Sequence, residues 1–329
     1  MSSLQHISIP KYITESGAQY HDLPLSYQLF GKALGTAPVV LVNHALTGNS
    51  NVCGPGGWWN DLIGDDKPIN TKQLTVLAFN IPGNCFDGFT IESYQDFITK
   101  DIARLFLEGL NFLKIDQLYA IIGGSLGGGI AWEMALLQPN ITKHLIPIAT
   151  DWKSTDWLIA NCRIQEQFLN NSSQPVHDAR MHAMLCYRTP ESFKQRFERS
   201  VNEKLEIFNI ESWLLHHGKK LQERFQLSAY KTMNQLLKTI GYTAQYGDVE
   251  KLAAIEANIY IVAVDSDLFF LAKENRNTYE ELSKVKSNVQ YHEISTIHGH
   301  DAFLIEYDQL ARIVTPIFEG SKVAAQSLE

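Results

Sequence analysis

The run Gly123-Gly124-Ser125-Leu126-Gly127-Gly128 constrains this chain more than any other stretch. An apolar segment, Leu118–Ile122, leads into it, and a helical pattern follows, with Ile130, Met134 and Leu137 on one face before Pro139. A G-x-S-x-G run between strand and helix is the setting of an exposed nucleophile on a sharp turn. The turn is too tight for a Cβ at the flanking positions, so glycines stand on both sides of the serine. The following helix N-terminus presents free N–H groups to a reacting oxygen. Ser125 is therefore the candidate nucleophile, and the backbone N–H of Leu126 a candidate oxyanion donor. A phosphate-binding P-loop would need a lysine after the glycines, and none is present.

Short apolar runs bounded by turn residues recur at Val39–Val42, Leu74–Phe79, Leu118–Ile122, His144–Ile148 and Ile259–Val264, and a further run, Val289–Ile294, alternates more. Runs of that length fit buried strands of a mostly parallel sheet. Helical patterns lie between them, as with Ile102, Phe106, Leu110 and Leu113, so an α/β fold is expected. Residues 150–249 are rich in Gln, Glu, Lys and Arg and contain no strand-like run. They read as a helical lid, with helices over Ser192–Arg199 and Ile210–Leu221, inserted into a core of residues 1–149 and 250–329.

In such an arrangement an acid and then a histidine follow the serine along the chain. The run Ile259–Val264 ends in Asp265-Ser266-Asp267, and Val289–Ile294 leads to His298-Gly299-His300-Asp301. Either aspartate could stand at a strand end. Asp267 is the better placed to turn toward the site, and Asp265 reads as an ordinary turn residue. His300 is the expected base. His298 reads as a pocket or surface residue, His292 as structural, and His216-His217 as part of the lid. The second oxyanion donor should come from the loop Asn43-His44-Ala45-Leu46-Thr47-Gly48, through the N–H of Leu46. His44 is expected to organise that loop.

The bulk properties narrow the function. The chain has 329 residues and a formal charge of −8, with no block of Lys or Arg, which disfavours nucleic-acid or anionic-membrane partners. Its four cysteines, 53, 85, 162 and 186, show no metal-type spacing, so reduced thiols and no metal are expected. Residues 1–13 lack the apolar core of a secretory signal, and no apolar run approaches a membrane span. A cytoplasmic location is expected.

Several segments together resemble the homoserine O-acetyltransferase family: NHALTGN at 43–49, GWWNDLIG at 57–64, GGSLGGG at 123–129 and GHDAFLIE at 299–306. Within the lid, DARMHAMLCYRTPESFKQRF at 178–197 and ESWLLHHGKKLQERF at 211–225 continue the likeness. The resemblance implies an α/β-hydrolase fold and acyl transfer from acetyl-CoA or succinyl-CoA to the hydroxyl of L-homoserine. It implies a Ser125–Asp267–His300 triad, with Arg180 and Asp301 contacting the amino acid's carboxylate and ammonium. Tyr187 and Tyr230 fall in similar segments as pocket candidates. The resemblance also implies a homodimer joined through the lid, and acyl-CoA as a substrate with no permanently bound cofactor. From the residues alone, Arg180 would read as a solvated helix residue and Asp301 as a possible cap. The sequence departs from the family pattern in a shorter loop after Cys85, in Leu126 and Gly129, and in Gln226-Leu227. A serine hydrolase acting on esters or thioesters, a serine acceptor and a non-catalytic binding protein of this fold are the competing expectations.

Overall fold

The computed structural model describes residues 3–243 and 248–319. Its centre is an eight-stranded sheet: β1 (Gln5–Ile13), β2 (Gln19–Gly31), β3 (Val39–Asn43), β4 (Thr75–Phe79), β5 (Leu118–Gly124), β6 (Thr142–Ile148), β7 (Asn258–Val264) and β8 (Val289–Ile294). In space the order is β1-β2-β4-β3-β5-β6-β7-β8. The last six pair in parallel, whereas β1 with β2, and β2 with β4, pair antiparallel. All six expected runs are strands of the sheet.

Burial on both faces explains why the inner strands are continuous apolar runs. Successive side chains point to opposite faces, so in β3 Val39 and Leu41 join one core while Val40 and Val42 join the other. The first core contains Ile102 and Phe106 of α1 (Thr99–Phe112) and Trp132 and Met134 of α2 (Leu126–Leu137). On the other face lie Trp59, Leu62 and Phe303, with Leu310 and Val314 of a C-terminal helix, Tyr307–Glu319.

The antiparallel pair β1–β2 is absent from the sequence reading. It lies at the sheet's edge and buries one side, with Ile7 opposite Leu25 and Ile9 opposite Leu23. Its outward positions carry polar residues, and Pro10 and Pro24 interrupt the pattern. β1 has one neighbour only, and so does β2 before Tyr27, so both prolines and the polar outward positions are tolerated there.

The insertion between β6 and β7 is helical, as expected: α3 (Asp156–Asn171), α4 (Pro175–Tyr187), α5 (Pro190–Phe197), α6 (Asn209–Gln222) and α7 (Leu227–Lys238). Residues 244–247 of the expected lid lie outside the described residues. A two-residue hairpin, Val201–Asn202 with Ile207–Phe208, also occurs within it. The helix expected over Ser192–Arg199 instead spans Pro190–Phe197. Thr189 caps it, its Oγ1 accepting from Ser192 N at 3.0 Å, and proline follows at the first position. It stops because Glu198 and Arg199 adopt positive φ of 47° and 56°. The lid is fastened to the core where Thr99 Oγ1 donates to Leu236 O at 2.5 Å and Gly241 N donates to Glu133 Oε1 at 2.9 Å. Among the described residues no helix is long and apolar enough to cross a membrane.

Candidate active site

Ser125 sits between β5 and α2 with φ 55° and ψ −126°, a conformation that L side chains rarely adopt. The turn is held by neighbouring backbone. Ser125 N donates to Ile148 O at 2.9 Å, and Ser125 O accepts from Gly128 N at 2.9 Å and Gly129 N at 3.1 Å. The glycines are needed for close approach. A Cβ on Gly127 would stand 2.2 Å from Asn43 O, and one on Gly123 would stand 2.5 Å from the Gly127 carbonyl carbon.

Three segments far apart in sequence meet here. Ser125 Oγ donates to His300 Nε2 at 2.9 Å, and His300 Nδ1 donates to Asp267 Oδ2 at 2.7 Å. All three residues are buried, at 4%, 3% and 3% exposure for Ser125, His300 and Asp267. The other carboxylate oxygen of Asp267 accepts from Phe269 N at 2.7 Å and Phe270 N at 2.9 Å. These backbone bonds fix the carboxylate at the end of β7. Asp265 has a different job: it accepts from Ser295 Oγ at 2.7 Å and Thr296 N at 3.0 Å, pinning the turn after β8.

Aromatic rings wall the imidazole. Tyr187, Phe269, Phe270 and Phe303 have ring centroids 5.5, 5.1, 5.7 and 5.7 Å from that of His300. They exclude water, which strengthens electrostatic interactions within the site. Nothing in the sequence pattern alone marks these phenylalanines as part of the site. The one local signal for two of them is their position directly after Asp267.

The loop after β3 carries Leu46. His44 is fully buried, and its Nδ1 donates to Ala45 O at 2.8 Å while its Nε2 accepts from Ile81 N at 3.0 Å. Burial lowers its pKa to about 4, so the ring is neutral and serves as a strut. Asn43 Nδ2 donates to Gly127 O at 3.2 Å, tying the loop to the nucleophile helix. From the lid, Arg224 Nη1 donates to Thr47 O at 3.2 Å. Leu126, the first residue of α2, has an N–H that needs no carbonyl within the helix.

Leu46, Tyr187 and Phe269 also line a narrow cavity under the lid. Tyr230, 1% exposed, faces the same cavity and donates its hydroxyl to Gln165 Oε1 at 3.1 Å. Arg180, on α4, is half-buried with its guanidinium 5.3 Å from the Tyr187 ring centroid. It is therefore not the solvated helix residue that composition alone suggests. Asp301 follows His300 in a short helical turn, Gly299–Leu304. Burial raises its pKa, and Arg180, His300 and Arg188 oppose that shift. Arg188, absent from the sequence reading, approaches Asp301 Oδ2 with Nη1 at 3.9 Å.

His217 and His292 stand apart from this centre, whereas His298 neighbours it. His217 packs on Trp213 with centroids 4.1 Å apart, and burial lowers its pKa to about 4. His292 stacks with Tyr260 at 6.5 Å. His298 accepts from Arg188 Nη2 at 3.1 Å.

Comparisons with known proteins agree with this architecture. The α/β hydrolase fold family model matches residues 38–306. Homoserine O-acetyltransferase of Chloroherpeton thalassium is 31% identical, over 91% of this chain and 85% of that protein. Among solved structures, esterase E22 superposes with a TM-score of 0.86 at 18% identity, covering 97% of this chain and all of that one. Homoserine O-acetyltransferase from Bacillus anthracis superposes with a TM-score of 0.83 at 18% identity, covering 97% and 98%. At those identities the two structures speak for the fold alone. Taken with the sequence identity across nearly the whole chain, the chain belongs to the homoserine O-acetyltransferase family of α/β-hydrolase-fold enzymes.

Proposed function

We propose that this enzyme transfers an acetyl group from acetyl-CoA to the hydroxyl of L-homoserine through an acyl-Ser125 intermediate. The observation that carries the reading is the Ser125–His300–Asp267 hydrogen-bond chain lying beside Asp301 and the half-buried Arg180. The likeness to homoserine O-acetyltransferases supplies the substrate class.

In the first half-reaction Ser125 Oγ attacks the thioester carbonyl carbon and passes its proton to His300 Nε2. The N–H groups of Leu46 and Leu126 receive the oxyanion. Asp267 keeps the Nδ1–H tautomer and stabilises the imidazolium. When the intermediate collapses the carbon–sulfur bond breaks, and the CoA sulfur takes the proton from Nε2. In the second half the homoserine hydroxyl gives its proton to Nε2 and attacks the acyl carbon. The bond to Ser125 breaks, and Oγ regains the proton.

Acceptor recognition follows from charge. Arg180 makes no ion pair among the described residues, which leaves its guanidinium for a substrate carboxylate. Asp301 accepts the ammonium, and Tyr187 and Tyr230 shape the pocket. Water competes for the same acyl-enzyme. The aromatic wall and the lid favour a positioned acceptor over a free one.

Location in the cytoplasm and assembly as a homodimer complete the proposal. Trp157 and Ile164 of α3, Leu185 of α4 and Leu215 of α6 are exposed apolar side chains on the lid, which supports burial against a second copy.

The test is a matrix of acetyl-CoA and succinyl-CoA against homoserine and serine, with Ser125→Ala as control. The expected result is Ser125-dependent thiol release, fastest with acetyl-CoA and homoserine. Equal thiol release with and without an acceptor would instead make the enzyme a thioesterase. Faster turnover with succinyl-CoA or with serine would reassign the donor or the acceptor.

A further inference from the structure

A short strap of the lid lies across the turn that carries His300. It runs from Tyr187, the last residue of α4, through Arg188 to Thr189. Thr189 Oγ1 donates to Ile297 O at 2.5 Å. Gly299 has φ +70°, and a Cβ there would stand 3.0 Å from Tyr187 O, so strap and turn are in close contact.

Arg188 is the charged residue of this strap. Its side chain is 12% exposed. Nη2 donates to His298 Nδ1 at 3.1 Å, and Nη1 stands 3.9 Å from Asp301 Oδ2. A guanidinium has no acceptor, so His298 Nδ1 must accept and the His298 proton sits on Nε2. The planar fork thus touches the residue two before His300 and the residue one after it. The contact with Asp301 is too long for a hydrogen bond and acts through charge. The Nε of Arg188 is buried without a partner, so the group is not there for an ideal ion pair. We propose that Arg188 is a positioning residue for the acceptor half of the reaction: it holds the Asp301 side chain in place, facing the acceptor ammonium.

This rests on the reading of Asp301 as the ammonium contact, and it divides the work of two arginines. Arg180 makes no close ion pair among the described residues and is left to bind ligand, its charge acting on Asp301 only through space, whereas Arg188 is held against His298 and Asp301 by direct contacts. Burial pushes Asp301 toward its neutral form, and a neutral carboxyl would hold an ammonium only as a hydrogen-bond partner. Arg180, His300 and Arg188 oppose that tendency, in that order, and of the two arginines Arg188 is the one in direct contact with the Asp301 carboxylate.

The experiment compares wild type, Arg188→Gln, Arg188→Lys, Asp301→Asn and the Arg188→Gln/Asp301→Asn double variant. Acylation is read as the thiol burst from acetyl-CoA in the absence of acceptor. Transfer is read as O-acetylhomoserine formed over a range of homoserine concentrations. The expected result for Arg188→Gln is a homoserine KM raised about tenfold, with the acylation burst rate changed by less than about twofold. Arg188→Lys restores most of the KM. In the Asp301→Asn background Arg188→Gln adds less than about twofold, because the interaction it served is already gone. Equal losses in acylation and transfer, unrepaired by lysine, would show a mere fold strut and overturn the inference. Independent, multiplicative effects of the two substitutions would overturn it as well. Wild-type enzyme that acylates but forms no O-acetylhomoserine would refute the acceptor reading beneath it and this inference with it. Normal wild-type transfer with an unaffected KM in Arg188→Gln would refute the inference alone.

Discussion

Replacing Asp267 by asparagine separates the carboxylate's chemical role from its structural one. In the native site one oxygen accepts from two backbone N–H groups, Phe269 and Phe270, and the other accepts from His300 Nδ1. Asparagine can keep its oxygen on the two backbone donors. Its NH2 group then faces His300 Nδ1, where two donors cannot bond. The ring flips to the tautomer with its proton on Nε2, pointing at Ser125 Oγ instead of accepting from it. The base is lost while the fold stands. The loss in kcat should be about 10⁴-fold, or ~5.5 kcal/mol of barrier. Stability should change little, because the backbone bonds survive. Asp267→Ala behaves differently. It removes both backbone bonds to a charged acceptor, each worth about 1.5–3 kcal/mol, and should lower the melting temperature as well as the rate. The assay is acetyl-ester or acetyl-CoA turnover beside thermal unfolding of the three proteins. An Asp267→Asn rate within about tenfold of wild type would refute the tautomer argument. A melting temperature for Asp267→Asn as low as that of Asp267→Ala would refute the structural half.

Three further perturbations follow from the geometry. Glu133, on α2, is 5% exposed, accepts from Gly241 N at 2.9 Å, and burial raises its pKa to about 7 from 4.5. The folded state therefore holds a proton that the unfolded state releases, and stability falls as pH rises from about 4.5 through about 7, by about 3 kcal/mol. Glu133→Gln should remove that loss, so its melting-temperature gain over wild type grows between pH 5 and pH 8; a gain independent of pH would contradict the burial argument. At the nucleophile, the positive φ of Ser125 costs about 1–3 kcal/mol with any side chain. Ser125→Gly and Ser125→Ala should both be inactive, but the glycine variant should be the more stable by about 1 kcal/mol in denaturant titrations; equal stabilities would argue against strain there. Gly127→Ala should fail to accumulate as folded protein or lose more than about 3 kcal/mol, since its Cβ would meet the Asn43 carbonyl oxygen at 2.2 Å.

The parts of this molecule that were legible in its sequence share a physical cause. Strands buried on both faces must be uninterrupted apolar runs, so β3 to β7 announced themselves, while β8, at the far edge, showed as a short alternating run after a turn. The nucleophile turn needs glycine wherever backbones nearly touch, and Gly123 and Gly127 left that trace. Asp267 and His300 were legible because each follows such a strand. β1 is an edge strand, and β2 before Tyr27 pairs with β1 alone; such segments tolerate prolines and polar outward positions, so this pair left no comparable mark. Arg188 was invisible for another reason. Its significance lies in contacts across 110 residues to His298 and 113 to Asp301, and nothing local distinguishes it from the surface arginines of the lid. Phe269, Phe270 and Phe303 were likewise indistinguishable from core until the fold set them around the imidazole.

The central claim is tested most directly by trapping the acyl-enzyme. Wild-type protein mixed with acetyl-CoA and quenched in acid should carry one acetyl group, found on the peptide containing Ser125 by mass spectrometry. Added homoserine should discharge that group faster than buffer does, yielding O-acetylhomoserine. Acetylation at another residue, or transfer that proceeds at the normal rate in a protein lacking the Ser125 hydroxyl, would contradict it.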